Sequence, residues 1–235
     1  GGKMDDALFE FLRSVDTPTV CNAIETAQGK RGFSAFTRRP VIVADPDARP
    51  IVGFASTGKV ASKFPSPETP ESVRERRLGY YRHMATSPKP AIAVIEDIDY
   101  PECLGAFWGE VNATVHKGLG LSGAIPNGLV RDLGSLPADF PILAGSVGPS
   151  RAFVHVTGFG MPVEIFGMPG KQGDLIHADQ HGALVIPPDV VSVLREAVRT
   201  VLEAEKVVLE TARKPDFDID MLVDVWTRFE DTRNG

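Results

Sequence analysis

Glycine and proline are scattered along the whole chain, 23 and 19 of them in 235 residues, and that spread limits what the chain can become. Glycine weakens a regular element, and proline removes a backbone donor. Most elements must therefore be short and closely joined. No segment repeats at a fixed period, and no low-complexity tract divides the chain. The pattern predicts many short strands and helices in one body rather than two domains on a linker. The expected fold class is α/β, a layered single domain over residues 4–235. Residues 1–3 read as an expression-vector remnant before Met4.

Local signals place the elements. Residues 5–14 predict a first helix with Leu8, Phe9, Phe11 and Leu12 on one face. Asp16-Thr17-Pro18 is a helix start, a capping side chain followed by proline in the first turn, and this second helix ends near Gly29. Residues 31–50 read as an extended connection and 51–60 as a strand. Prolines flank a basic helix at about 71–84, in which Leu78, Tyr81 and Met84 are candidates to pack inward. Its arginines, Arg74, Arg76, Arg77 and Arg82, read as a solvated face before an anion site. Strands are expected at 91–96, 141–144, 152–156 and from 161, followed by a hairpin over 173–187. Pro188 to Arg213 predicts a long helix, with Val190, Val193, Leu194, Ala197, Val201, Ala204 and Val208 at helical spacing. A last helix runs through Asp216 to Phe229. It holds Trp226, so the tail, 214–235, is expected to pack on its own core or at a subunit interface.

Composition narrows the function. The net charge, 25 − 31 = −6, disfavours a general nucleic-acid partner. No apolar run approaches the roughly 20 residues that span a bilayer, so no membrane role is expected. Cys21 and Cys103 show no CxxC spacing and read as reduced thiols of a cytoplasmic protein. His155 alternates with apolar neighbours and reads as a hydrogen-bonded sheet residue. His177 and His181, near Asp174 and Asp179, offer a weak metal pattern on strand and turn.

The stretch from Trp108 to Asp132 carries the chemistry. Gly109-Glu110 opens a short helix, a glycine-rich turn leads into an apolar strand, and Asn127-Gly128 precedes Arg131-Asp132. Carboxylates hold hard divalent cations, and an arginine fork clamps a substrate carboxylate. Backbone N–H groups at a helix start accept anions. These parts suit a metal enzyme acting on a small keto-acid. The plainer reading of the same residues is a surface ion pair beside an ordinary helix start.

Four segments together resemble the RraA-like family. They are Ala106-Phe107-Trp108-Gly109-Glu110, the run from Gly123 to Asp132, Gly173-Asp174 to Asp179, and Gly182 to Pro187. The family includes class II aldolases for 4-hydroxy-4-methyl-2-oxoglutarate and 4-carboxy-4-hydroxy-2-oxoadipate, and the regulator of ribonuclease E activity. Its members are often mislabelled demethylmenaquinone methyltransferases. The resemblance implies a swivelling β/β/α body assembled as a homotrimer or a dimer of trimers, with sites between subunits. It implies that Arg131 binds the substrate carboxylate and carbonyl oxygen. Asp132 would be the direct protein ligand of Mg²⁺ or Mn²⁺. Gly109, Glu110, Val111 and Asn112 would offer backbone amides to a pyruvyl group, with Glu110 near the metal's water shell. A glutamate on the long helix, Glu205 or else Glu203, would reach across the interface. The sequence departs from the family at Asn112, where an apolar residue is usual, which suggests a more polar pocket wall. It departs also at Asn127, where Asp is usual, removing a charge beside the site, at His181, near a position often acidic, and at Cys21-Asn22, where Ser-Asp is usual.

The implied reaction is retro-aldol cleavage of a 4-hydroxy-2-keto diacid to pyruvate, with the metal and Arg131 facing the keto oxygen. Glu110 or the trans glutamate would hold the water that takes the C4 hydroxyl proton. Oxaloacetate decarboxylation passes through the same enolate and is expected as a side or main activity. A non-catalytic protein regulating an RNA-processing enzyme is the alternative. Methyl transfer is disfavoured, since no glycine-rich loop follows a first strand.

Overall fold

The computed structural model describes residues 4–234, so the expected remnant at 1–3 lies outside the described residues. The chain opens with helices α1 (Asp6–Leu12) and α2 (Thr17–Gln28), then strands β1 (Ile42–Val43) and β2 (Ile51–Ala61). Helix α3 (Pro70–Thr86), β3 (Ala91–Asp97), β4 (Ala106–Trp108) and α4 (Glu110–Gly118) follow. Next come β5 (Leu121–Pro126), β6 (Leu129–Val130), β7 (Leu143–Ala144) and β8 (Ser146–Val147). Strands β9 (His155–Phe159), β10 (Val163–Ile165), β11 (Met168–Gly170), β12 (Leu175–Asp179) and β13 (Gly182–Val185) complete the β content. A single 3₁₀ turn, Pro188–Val190, leads into α5 (Val191–Ala212), and α6 (Ile219–Asn234) ends the described chain. The expected α/β class is what forms. The chain divides into two compact units, residues up to Ser34 with those from Ile186, and Ala35–Val185.

The first unit is helical. Asp5 caps α1 by accepting from the Leu8 N–H, and Asp16 caps α2 by accepting from the Thr19 N–H, each at 2.8 Å. Gly29 closes α2 at φ +66°, a left-handed conformation that favours glycine. Helix α5 turns Val191, Leu194, Ala197, Val198 and Val201 inward, against the α1 and α2 faces. Val193, expected on this face, is 47% exposed, because it lies about 100° around the helix from Leu194 and about 160° from Val191. Helix α6 packs on α5 and α2, burying Val225 and leaving Trp226 40% exposed.

The second unit is built on β2. One edge of this long strand pairs in parallel with β3, and β3 pairs in parallel with β5. The other edge is shared, with β12 taking Ile51–Phe54 and β9 taking Gly58–Ala61, both antiparallel. Burial along β2 and β3 is nearly continuous rather than alternating, as expected where both sheet faces are covered. Successive residues of β3 feed opposite sides. Ala91, Ala93 and Ile95 join a core with Tyr80, Met84, Phe107 and Trp108, whereas Ile92 and Val94 join one with Ile165, Phe166 and Met168.

One inward assignment for α3 changes, while Tyr81 packs against the core as expected. Leu78 is 45% exposed, and Tyr80 is the fully buried aromatic, with Met84 beside it in the same core. Tyr80 lies four residues before Met84 and so shares its face. The strand expected at 152–156 begins only at His155, since Ala152 adopts φ +40°.

Candidate functional site

The backbone of the second unit brings the two halves of the Trp108–Asp132 stretch together. Strand β4 pairs in parallel with β6, and the Arg131 N–H donates to the Trp108 carbonyl at 2.8 Å. Parallel pairing aligns the carboxyl ends of the two strands, so Gly109 and Arg131-Asp132 leave them side by side. In open α/β sheets that end is where ligands bind.

Gly109 enters α4 with no side-chain cap of its own. Asp132 supplies one from elsewhere in the chain, its Oδ2 accepting from the Glu110 N–H at 2.9 Å. The same oxygen lies 3.7 Å from Arg131 Nε. A Cβ on Gly109 would stand 2.6 Å from Asp132 Oδ2 and 2.8 Å from Arg131 Nε, so the absence of a side chain is what lets these groups close on the helix start. Asp132 adopts φ +60°, a left-handed conformation uncommon outside glycine that Asp and Asn tolerate better than most residues. The Arg131 and Asp132 side chains are 29% and 42% exposed. They are neither buried against each other in dry packing nor fully solvated.

The other expected site residues fall into three groups. Glu110 and Val111 are exposed on the first turn of α4, Val111 at 76%. Asn112 is buried, and its side chain does not form a polar pocket wall as expected. Its Nδ2 donates to the Phe107 carbonyl at 3.0 Å, and its Oδ1 accepts from the Tyr81 hydroxyl at 2.7 Å. Glu205 and Glu203 belong to the helical unit. There Glu205 lines a cleft of about 110 Å³ with Asn22, Thr26, Phe229 and Arg233, and Glu203 is exposed.

Asn127 also has a structural partner. Its Oδ1 accepts from the Asp97 N–H at 2.6 Å, tying the end of β5 to the end of β3. The histidine pattern of the hairpin does not assemble. His177 is fully buried, whereas His181 is half exposed and Asp179 Oδ1 lies 3.0 Å from its Nδ1. His155 Nδ1 lies 2.7 Å from the Phe153 carbonyl, in keeping with a hydrogen-bonded sheet residue. Among the described residues no three His, Cys, Asp or Glu side chains cluster as metal ligands. Both cysteines are free, and burial, then Asp97, push the Cys103 thiol up to about 12.

A buried polar chain behind α4 escaped sequence reasoning. His116 Nδ1 lies 2.7 Å from the Asn112 carbonyl, which can only accept, so Nδ1 carries the proton. Burial pushes this imidazole down to about 4, so it is neutral, and its Nε2 accepts from the Tyr80 hydroxyl at 2.7 Å. Arg77 donates to the Tyr81 hydroxyl from Nε and Nη2 at 3.2 and 3.0 Å. The readable signal was spacing, since Arg77 and Tyr81 stand four apart on one helix face, as do Asn112 and His116.

Comparison with known proteins places this geometry among relatives. The family model RraA-like, described as Aldolase/RraA, matches residues 17–185. A protein of Halalkalibacterium halodurans named as a putative 4-hydroxy-4-methyl-2-oxoglutarate aldolase is 34% identical over 90 residues. That match spans 37% of this chain and 42% of the relative. Among solved structures, one described as novel cellulases from microbes associated with the gut ecosystem has a TM-score of 0.71 at 20% identity, covering 88% of this chain and 89% of the other. RraAS2 of Streptomyces coelicolor, described as an unusual member of the RNase ES inhibitor RraA protein family, has a TM-score of 0.66 at 18% identity. Coverage there is 91% of this chain and all of the other. At such identities the solved structures speak for the fold alone.

Proposed function

The chain belongs to the RraA-like family, and from that premise we propose that it is a divalent-metal-dependent class II aldolase releasing pyruvate from a 4-hydroxy-2-keto diacid, with oxaloacetate decarboxylation as a side or main activity. The observation that carries this reading is the convergence at Gly109 of a guanidinium, a carboxylate and the start of a helix. The curated relative named as an aldolase supports the substrate class.

The residues fit a magnesium or manganese ion. Mg²⁺ is commonly held by one or two carboxylates and completed by water and substrate oxygens. Asp132 is accessible, and its Glu110 hydrogen bond uses only Oδ2, which leaves Oδ1 for an ion. When bound, the ion supplies Lewis-acid stabilisation of charge on the keto oxygen.

The protein's own groups do the rest. Arg131 binds the substrate carboxylate and stabilises the oxygen on which charge develops when the C3–C4 bond breaks. The Val111 and Asn112 N–H groups, at the start of α4, face an anion with the helix dipole behind them. Glu110 accepts the C4 hydroxyl proton, directly or through water, and that proton returns to C3 of the enolate to complete pyruvate. In the trimeric or hexameric assembly we infer, Glu205 or Glu203 reaches in from a neighbouring subunit.

The test is a coupled pyruvate assay over a panel of 4-hydroxy-2-keto acids and oxaloacetate, with Mn²⁺ and with chelator. Metal-dependent release from at least one substrate is expected. No release from any would overturn the proposal. It would favour the second reading, a non-catalytic protein that regulates an RNA-processing enzyme.

A further inference from the structure

We propose that Tyr81, working through Asn112, is a positioning residue that fixes the first turn of α4 against the Arg131–Asp132 pair. The proposal rests on the aldolase reading, because it gives that turn the task of binding the keto-acid.

Asn112 is the third residue of α4 and is 5% exposed. Its side chain holds two separate elements at once, β4 through the Phe107 carbonyl and α3 through the Tyr81 hydroxyl. Tyr81 in turn accepts from Arg77, whose guanidinium lies 5.6 Å from the Tyr81 ring centre and 5.5 Å from that of Phe107. Donors and acceptors match along the whole path. Arg77 donates to Tyr81, Tyr81 donates to Asn112 Oδ1, and Asn112 Nδ2 donates to Phe107.

The consequence is geometric. The front of the α4 turn is bonded to Asp132 through the Glu110 N–H, and its back is bonded to α3. An apolar residue at 112 would fill the space without fixing direction, since dispersion contacts carry no orientation. A buried polar group bonded at both its oxygen and its nitrogen specifies one arrangement. This device therefore sets where the α4 amides point, and it acts on substrate binding rather than on bond cleavage. Amides that grip ground state and transition state alike govern KM.

The experiment uses the full chain with Tyr81→Phe, Asn112→Leu and the double variant. Each single variant is expected to raise KM for the panel substrate about tenfold with kcat little changed, as loss of the shared Tyr81–Asn112 hydrogen bond allows. Hydrogen exchange of the Glu110 and Ala113 amides should quicken about tenfold, with Val94 in β3 unaffected. The double variant should fall well short of the product of the two single effects, since both single variants remove the shared Tyr81–Asn112 bond. Unchanged KM and unchanged exchange at α4 would overturn the proposal, as would equal acceleration at Val94, the mark of a merely structural role. If the wild-type protein releases no pyruvate, the aldolase reading falls and the exchange measurement alone decides the positioning. Should Asn112→Leu fail to fold, Tyr81→Phe, which removes a single oxygen, carries the test.

Discussion

Asp132 closes the start of α4 from 22 residues away, its Oδ2 accepting from the Glu110 N–H at 2.9 Å. One carboxylate thus finishes a helix and fronts the candidate site. A residue with two tasks can be separated into them by substitution.

Asp132→Asn keeps an acceptor oxygen and a residue type that tolerates φ near +60°. It removes the negative charge an ion needs. Pyruvate release should be nearly abolished with thermal stability almost unchanged. Asp132→Ala should lose both, with a stability loss of about 1–2 kcal/mol from the vacated cap. Thermal melts and the pyruvate assay together separate the roles. An Asn variant with full activity would dismiss the metal assignment.

Gly109→Ala introduces a Cβ at a φ of −149°, which any residue adopts. The cost falls on Asp132 and Arg131, whose ends would lie within 3 Å of it. We expect a folded protein with activity reduced at least about tenfold, the scale of a roughly 1 Å misplacement or worse. Circular dichroism checks the fold and the coupled assay the activity.

Arg131→Lys keeps a cation but not the planar fork. Activity should fall about 10- to 100-fold, the range of a charge-assisted bond. Arg131→Ala should fall further. A lysine variant as active as the wild type would mean that no bidentate contact is made.

Chelation offers a test without substitution. Dialysis against EDTA should abolish pyruvate release, and Mn²⁺ or Mg²⁺ should restore it. Retained activity in chelator would remove Asp132 from metal binding.

Acid should weaken the fold through His116. Its imidazole is pushed down to about 4 by burial, from an ordinary 6.5. Between those values the unfolded chain binds a proton that the folded chain excludes. The stability is therefore complete above pH 6.5 and declines as pH falls towards 4, by on the order of 3 kcal/mol. The buried Asp97 carboxyl, pushed up by burial, works in the opposite direction in acid. Urea titrations of the wild type and His116→Gln from pH 7 to 4.5 isolate the histidine, since only the wild type should show this slope.

Local chemistry made much of the fold readable. Asp16, Pro18 and Gly29 bracket α2, and the run at 91–96 becomes most of a strand, Ala91–Asp97, buried on both faces. The same was true of the candidate site at its simplest, because Gly109, Arg131 and Asp132 are chemically distinctive types close together in the chain. Residues whose roles depend on a distant partner were misjudged. Asn112 stands in sequence as a polar pocket residue, and its partner Tyr81 lies 31 positions earlier, beyond local pattern. Leu78, expected inward, is exposed for a related reason, since α3 is polar nearly all round and its sequence scarcely marks an inward face.

What the sequence by itself determined is therefore the set of elements and the chemical kinds present near Gly109. Capping, turn conformation and strand burial depend on neighbours a few residues away. Only the tertiary structure decided that Asp132 caps α4, that Asn127 braces β3 and that Asn112 is held by Tyr81. Each of those contacts joins residues far apart in the chain, and a hydrogen bond needs a placement within a few tenths of an ångström, which only the packed sheet and helices provide.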